Sequence, residues 1–166
     1  MFCAGPNPRG GGFSKETIQM LASRRAIRQY KGQITTDQRQ RLIQAAQAAP
    51  VGRGNYDNYK LTVIQKPEVL RQLTGIYAAP TVFIVSSLST TAGKLISAGM
   101  IAHNIELAAE DLGLGANYNM ECLLNLPQGL VPKGATPLIA VTVGQTDEKF
   151  APRDLPADRI KTNIID

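Results

Sequence analysis

The sequence predicts an α+β domain, a sheet flanked by helices with one helix running through the core. Three observations lead there. Apolar residues recur at helical spacing through the first third of the chain. Short alternating or continuous apolar runs of strand length follow at residues 59–65, 80–86, 116–120 and 137–143. Residues 92–112 are apolar around so much of a helical circumference that such a helix is packed on several sides. The length of 166 residues fits one domain. A domain of that size buries roughly 70% of its unfolded surface and needs no disulfide or metal to fold. No repeat or linker divides the chain, so residues 14–166 read as a single domain behind a Gly- and Pro-rich leader, 1–13.

The elements follow in order. A first helix spans 14–25, with Ser14 as N-cap and Ile18, Leu21 and Ala22 on one face. A link, 26–34, leads to a second helix that starts at Thr35 or Thr36, where Thr35 and Gln38 have capping-box spacing. Leu42, Ala45, Ala46 and Ala49 are its buried stripe, and Pro50 stops it. A loop, 51–58, precedes a half-buried strand in which Leu61 and Val63 point one way and Lys60 and Thr62 the other. Pro67 opens a short helix with Leu70 and Leu73 as its apolar pair. The run 80–86 reads as a central strand. The long helix carries one stripe of Ile96, Met100, His103 and Leu107 and a second of Ile101, Ile105, Ala108 and Leu112. Gly113 ends it as a C′ glycine. Two strands follow, then a polar tail from 145 in which Ile160, Ile164 and Ile165 stand out.

Composition removes several function classes. Two cysteines, Cys3 and Cys122, and one histidine, His103, make neither a disulfide framework nor a zinc-ligand cluster. Reduced thiols of a cytosolic protein are the plain reading. The longest apolar runs fall far short of the ~20 residues that span a membrane, and the leader has no signal-peptide core. His103 sits on the apolar face of the long helix, where a buried, hydrogen-bonded side chain is expected and a triad base is not. No carboxylate pair stands out, and a structural role for Cys122 outweighs a redox one. The net charge of +5 suits an anionic partner: a phosphate-bearing cofactor, a dinucleotide or a nucleic acid. With 5% aromatics and no tryptophan, the chain has little to stack on bases, so the nucleic-acid reading is weak.

Four segments carry candidate chemistry. Arg24, Arg25 and Arg28 fall within five residues, with Arg24 and Arg28 one helical turn apart. Guanidinium groups hold phosphate through paired, charge-assisted bonds, although cations late in a helix also simply complement its dipole. The loop from Pro50 through Val51, Gly52 and Asn55 to Tyr59 has glycines that let backbone approach a ligand, and it lacks the Gly-Lys-Ser/Thr of a nucleotide-hydrolase loop. Residues 112–119 form a glycine-rich turn into a strand, ending Asn117, Tyr118, Asn119; following a helix instead of opening one, it is no dinucleotide fingerprint. Pro152-Arg153 in the tail means nothing in isolation.

In this order the segments resemble the nitroreductase family of flavoproteins. That family has an Arg-Arg-Ser-Ile/Val-Arg-x-Phe/Tyr motif, matched by Arg24 to Tyr30, and a helix ending in Ala-Pro, matched by Ala49-Pro50. Its Ala-Pro strand is matched by Ala79 to Val85, its Leu-Ala-Ala-x-x-Leu-Gly-Leu-Gly helix end by Leu107 to Gly115, its Val-x-x-Gly strand end by Val141 to Gly144, and its late Pro-Arg by Pro152-Arg153. Pro50, Gly52, Gly54 and Tyr56 fit the compact branch of the family.

The resemblance implies an FMN-binding fold with a mostly antiparallel central sheet, and a homodimer formed through the long helix with FMN at the interface. It implies Arg24, Arg25, Ala26, Arg28 and Arg153 at the phosphate and ribityl chain. Pro50, Val51 and Gly52 would come from the partner subunit against the ring, Asn55 would bond a flavin edge or the ribityl chain, and backbone from Asn117, Tyr118 and Asn119 to Glu121 would contact the reactive edge. The implied chemistry is the cofactor's: NADPH or NADH delivers hydride to flavin N5, leaves, and a small nitroaromatic- or quinone-like acceptor takes its place. No protein acid or base is required. Ala26 stands where the family has Ser, and the stretch between the first two strands is short, so the substrate does not carry over. A flavin-binding sensor or carrier is the alternative.

Overall fold

The structure, a computed structural model, describes residues 17–166; the leader and Ser14 lie outside the described residues. The elements run α1 (Thr17–Ser23), α2 (Thr36–Gln47), two 3-10 turns (Gly52–Gly54 and Tyr56–Asn58), β1 (Tyr59–Ile64), α3 (Pro67–Leu70), β2 (Thr81–Ser87), α4 (Ala92–Asp111), β3 (Leu114–Asn119), a 3-10 turn (Glu121–Asn125) and β4 (Thr136–Gln145). The strands form one sheet in the order β1-β2-β4-β3, antiparallel at every pairing.

Strand alternation builds two cores. Phe83, Val85, Leu114, Ala116, Val141 and Val143 pack under Leu42 and Ala46 of α2 and Ala98, Ile101, Ala102 and Ile105 of α4. On the opposite face Ile64, Val82, Ile84 and Ala140 are covered by Leu73, Ile76 and Cys122. Every residue of β2 is therefore buried, and its continuous apolar run has a cause: both faces of this antiparallel sheet are roofed.

Local signals placed most boundaries. The Thr35 hydroxyl accepts from Gln38 N at 3.1 Å, and Thr35 N donates to Gln38 Oε1 at 2.8 Å, closing the capping box. Thr35→Ala removes the hydroxyl acceptor and is expected to lower stability by about 1 kcal/mol, read as a shifted urea midpoint with unchanged slope. Gly113, at φ 71°, ends α4, its N–H bonding Glu110 O at 2.9 Å.

Other boundaries moved. α1 ends at Ser23, two residues before the predicted end. The tail takes over there: Arg153 N and Nε both donate to Ala22 O, at 3.1 and 2.9 Å. Arg24 and Arg28 consequently lie on a segment outside the helix, not one helical turn apart. α2 ends at Gln47, three residues before Pro50. β3 starts at Leu114, and β4 is longer than predicted at both ends. The Ile96 stripe of α4 is left open by the described residues: Ile96 is 60% and Met100 41% exposed. His103 lies on that open face and is half-exposed, which corrects the expectation of a buried histidine.

Two glycines let the arginine segment dock. A Cβ on Gly115 would lie 2.5 Å from Ile27 Cγ2, and one on Gly144 2.8 Å from Pro80 Cδ and 2.9 Å from Tyr30 Cδ1. With hydrogens alone there, Ile27 N bonds Ala116 O and Lys31 N bonds Gln145 O, each at 2.8 Å. The segment thus lies along the β3–β4 end of the sheet.

Candidate functional site

The docked segment presents its arginines at the end of α1. Arg24 Nη1 donates to Glu106 Oε1 on α4 at 2.9 Å; the carboxylate is 2% exposed and Arg24 25%. Arg25 faces Glu148 at 3.8 Å, with both groups largely in solvent, a pair worth little. Ala26 is exposed and offers no side-chain donor. Arg28 is exposed, its guanidinium 5.6 Å from the centroid of the Tyr77 ring. Arg153, which meant nothing in isolation, joins them by its bonds to the α1 carbonyls.

The strand beside them is polar and fixed. Asn117 and Asn119 are buried. The Asn119 side chain donates to Gly75 O at 2.6 Å and accepts from Cys122 N at 2.9 Å, tying β3 to the segment before β2. That segment holds a strained pair, Tyr77 and Ala78, both at positive φ (55° and 54°). The Tyr118 hydroxyl lies 2.6 Å from His103 Nδ1, and burial, with the Glu106 carboxylate next, pushes the phenol far above its usual range. The Tyr30 hydroxyl lies 2.6 Å from Thr142 Oγ1, and burial pushes its pKa up to about 12.

The glycine loop is elsewhere. Pro50 and Asn55 are exposed. Val51 packs on the α2–α4 core, and Gly52 N donates to Ser97 Oγ at 3.2 Å near the start of α4. Gly52, Asn55, Tyr59 and Lys94 line a cleft of about 440 Å³ there. Ser97 and Glu106 are nine residues apart along one helix, so the points where the loop and Arg24 attach to α4 lie roughly 14 Å apart along its axis. One chain brings Arg24, Arg25, Ala26, Arg28, Asn117, Tyr118, Asn119 and Arg153 to one end of the fold. It leaves Pro50, Val51, Gly52 and Asn55 at the other.

Sequence reasoning missed Glu106 and Tyr77. For Glu106 a signal existed: a carboxylate between Ile105 and Leu107, inside the apolar surface of a core helix, calls for a cation. Nothing in the sequence marks Tyr77.

The setting of Cys122 disfavours the thiolate that redox chemistry needs. Its thiol is buried, and burial raises its pKa to about 11. Peptide mapping after iodoacetamide treatment of the native protein at pH 8 is expected to find Cys122 unmodified. Labelling at the rate of a free thiol would contradict the burial. The unfolded thiol ionises near 9.0 and the folded one near 11. Above pH 9 the native state therefore holds more protons, and stability falls as pH rises through that window.

No family model matches the chain. A curated relative, an NADPH-dependent oxidoreductase of Staphylococcus haemolyticus, is 24% identical over 189 aligned positions, covering 89% of this chain and 73% of its own. Among solved structures, a nitroreductase with bound FMN from Bacteroides fragilis matches with a TM-score of 0.78 at 20% identity, covering 92% of this chain and all of the other (100%). An FMN-dependent nitroreductase from Clostridium difficile matches with a TM-score of 0.76 at 22% identity over 90% of this chain and 99% of its own. A nitroreductase with bound FMN from Desulfitobacterium hafniense matches at 0.73 and 21% over 87% and 96%. On these likenesses the chain has the nitroreductase fold.

Proposed function

We propose that the protein is an FMN-dependent oxidoreductase that carries hydride from NADPH or NADH to a small oxidised acceptor, nitroaromatic- or quinone-like, and works as a homodimer with flavin between the chains. The observation that carries this reading is the placement of Arg24 and Arg28 on the segment docked along β3, with Arg153 bonded to the end of α1 beside them, on a fold whose solved examples include FMN-bound nitroreductases. The donor set fits the cofactor, since guanidinium groups suit a phosphate monoester. When bound, FMN supplies the hydride chemistry at N5.

The chain's own residues do the rest. Arg24, Arg28 and Arg153 hold the phosphate end, with Arg25 and Ala26 backbone beside them. Asn119 locks the β3 end against the segment before β2, keeping Asn117 to Asn119 in place as a wall of the flavin site. With FMN held there, donor and acceptor would use the site in turn, a ping-pong order that would need no acid or base from the chain. The dimer accounts for the separated loop, because Pro50, Val51, Gly52 and Asn55 serve the partner's flavin. It also accounts for the apolar surface of Leu95, Ile96 and Met100 on α4 with Ile18 and Leu21 on α1, at 40% to 76% exposure. No helix of the described residues is long and apolar enough to cross a membrane.

The test is a visible spectrum of the protein after incubation with FMN and desalting, followed by anaerobic NADPH or NADH. Retained flavin bands that bleach are the expected result. Retained bands that persist make the protein a carrier or sensor, and an absence of bands overturns the flavin reading.

A further inference from the structure

Glu106 is a carboxylate at 2% exposure on the packed face of α4, and a charge in that position is tolerated only beside a counter-charge. The counter-charge is Arg24, at 2.9 Å. We propose that Glu106 determines how strongly the site prefers a phosphorylated flavin over an unphosphorylated one, by holding the Arg24 guanidinium in place while offsetting its charge. The inference rests on the flavin reading above.

The cations of the site are unequal. Arg24 faces a carboxylate screened from water, so their attraction is not diluted as on the surface. Arg153 bonds the neutral carbonyls of Ala22 and Leu21 and keeps its full charge. Arg28 lies over the Tyr77 ring, and among the described residues it forms no ion pair. The net pull on a phosphate therefore comes from Arg28 and Arg153, while Arg24 contributes directed N–H groups from a fixed position. Glu106 faces His103 as well, its Oε2 3.8 Å from Nδ1, and the Tyr118 hydroxyl bonds that same ring. The carboxylate thus holds the arginine, with the imidazole and the phenol on the carboxylate's other side.

Flavin dissociation constants for FMN and for riboflavin, measured by fluorescence at one ionic strength, test this in wild type and Glu106→Gln. Glutamine keeps an oxygen where Arg24 Nη1 donates and removes only the charge. The riboflavin constant is expected to stay as it is and FMN to bind about tenfold tighter. A purely structural role would move both flavins by one factor, and that result, or a fall in FMN preference, overturns the proposal. Wild type that binds neither flavin overturns the flavin reading itself, whereas wild type that binds both with an unmoved ratio in the variant overturns this inference alone. Glu106→Met, which removes charge and hydrogen bond together, is measured beside it to guard against a variant that does not fold. A smaller rise in FMN preference is expected there, since the bond that fixes Arg24 is lost with the charge, and a ratio no higher than wild type in whichever variant retains riboflavin overturns the proposal.

Discussion

Arg24→Ala is expected to lower unfolding stability by about 3–5 kcal/mol, the cost of leaving one partner of a buried ion pair alone. The magnitude follows from Glu106. It is 2% exposed, within a helix face packed against the sheet, so water does not replace the lost guanidinium. Set against a typical domain stability of ~5–15 kcal/mol, this is a large fraction. Chemical denaturation of the variant gives the number. Adding Glu106→Gln to the same chain removes the stranded charge and is expected to restore most of the loss. A loss below about 1 kcal/mol, or no recovery in the double variant, would show that the pair carries little. On the sequence alone Arg24 reads as a candidate phosphate ligand or as a cation that complements a helix end, and neither reading gives it a part in stability. The ion pair reverses that expectation.

Ile96→Asp combined with Met100→Asp is expected to turn a flavin-holding dimer into a flavin-free monomer. The two positions are 60% and 41% exposed within one chain, so the fold does not depend on them. Across a dimer interface the same positions would bury two carboxylates with no partner, a penalty of several kcal/mol per group. Because the loop from Pro50 to Asn55 attaches to α4 roughly 14 Å along its axis from where Arg24 does, losing the partner removes one wall of the site. Light scattering and the flavin spectrum of one sample read both effects. A monomeric variant that still holds FMN tightly would show that each chain builds its site alone. A variant that remains a dimer would place the interface elsewhere.

Much of the fold was legible because its determinants are local. The Thr35–Gln38 capping box, the Gly113 stop, the length of α4 and the burial of β2 each depend on a handful of adjacent residues, and the structure shows all four. The α1 end was not legible, because the residue that terminates it, Arg153, lies 131 positions away. The arginine motif was visible as a cluster of charge, but its geometry rests on a glycine at 115 and another at 144, which clear the surface that it docks on.

By itself, then, the sequence determined the class of fold, its element order and the cations. It did so because capping, strand alternation and helical stripes act over a few residues. Tertiary structure alone decided three things: that Arg24 meets a carboxylate 82 positions away, that the Ile96 stripe faces outward, and that the glycine loop and the arginines sit at opposite ends of α4. Each is a matter of which surfaces the packed sheet brings together, and local spacing carries no information about that.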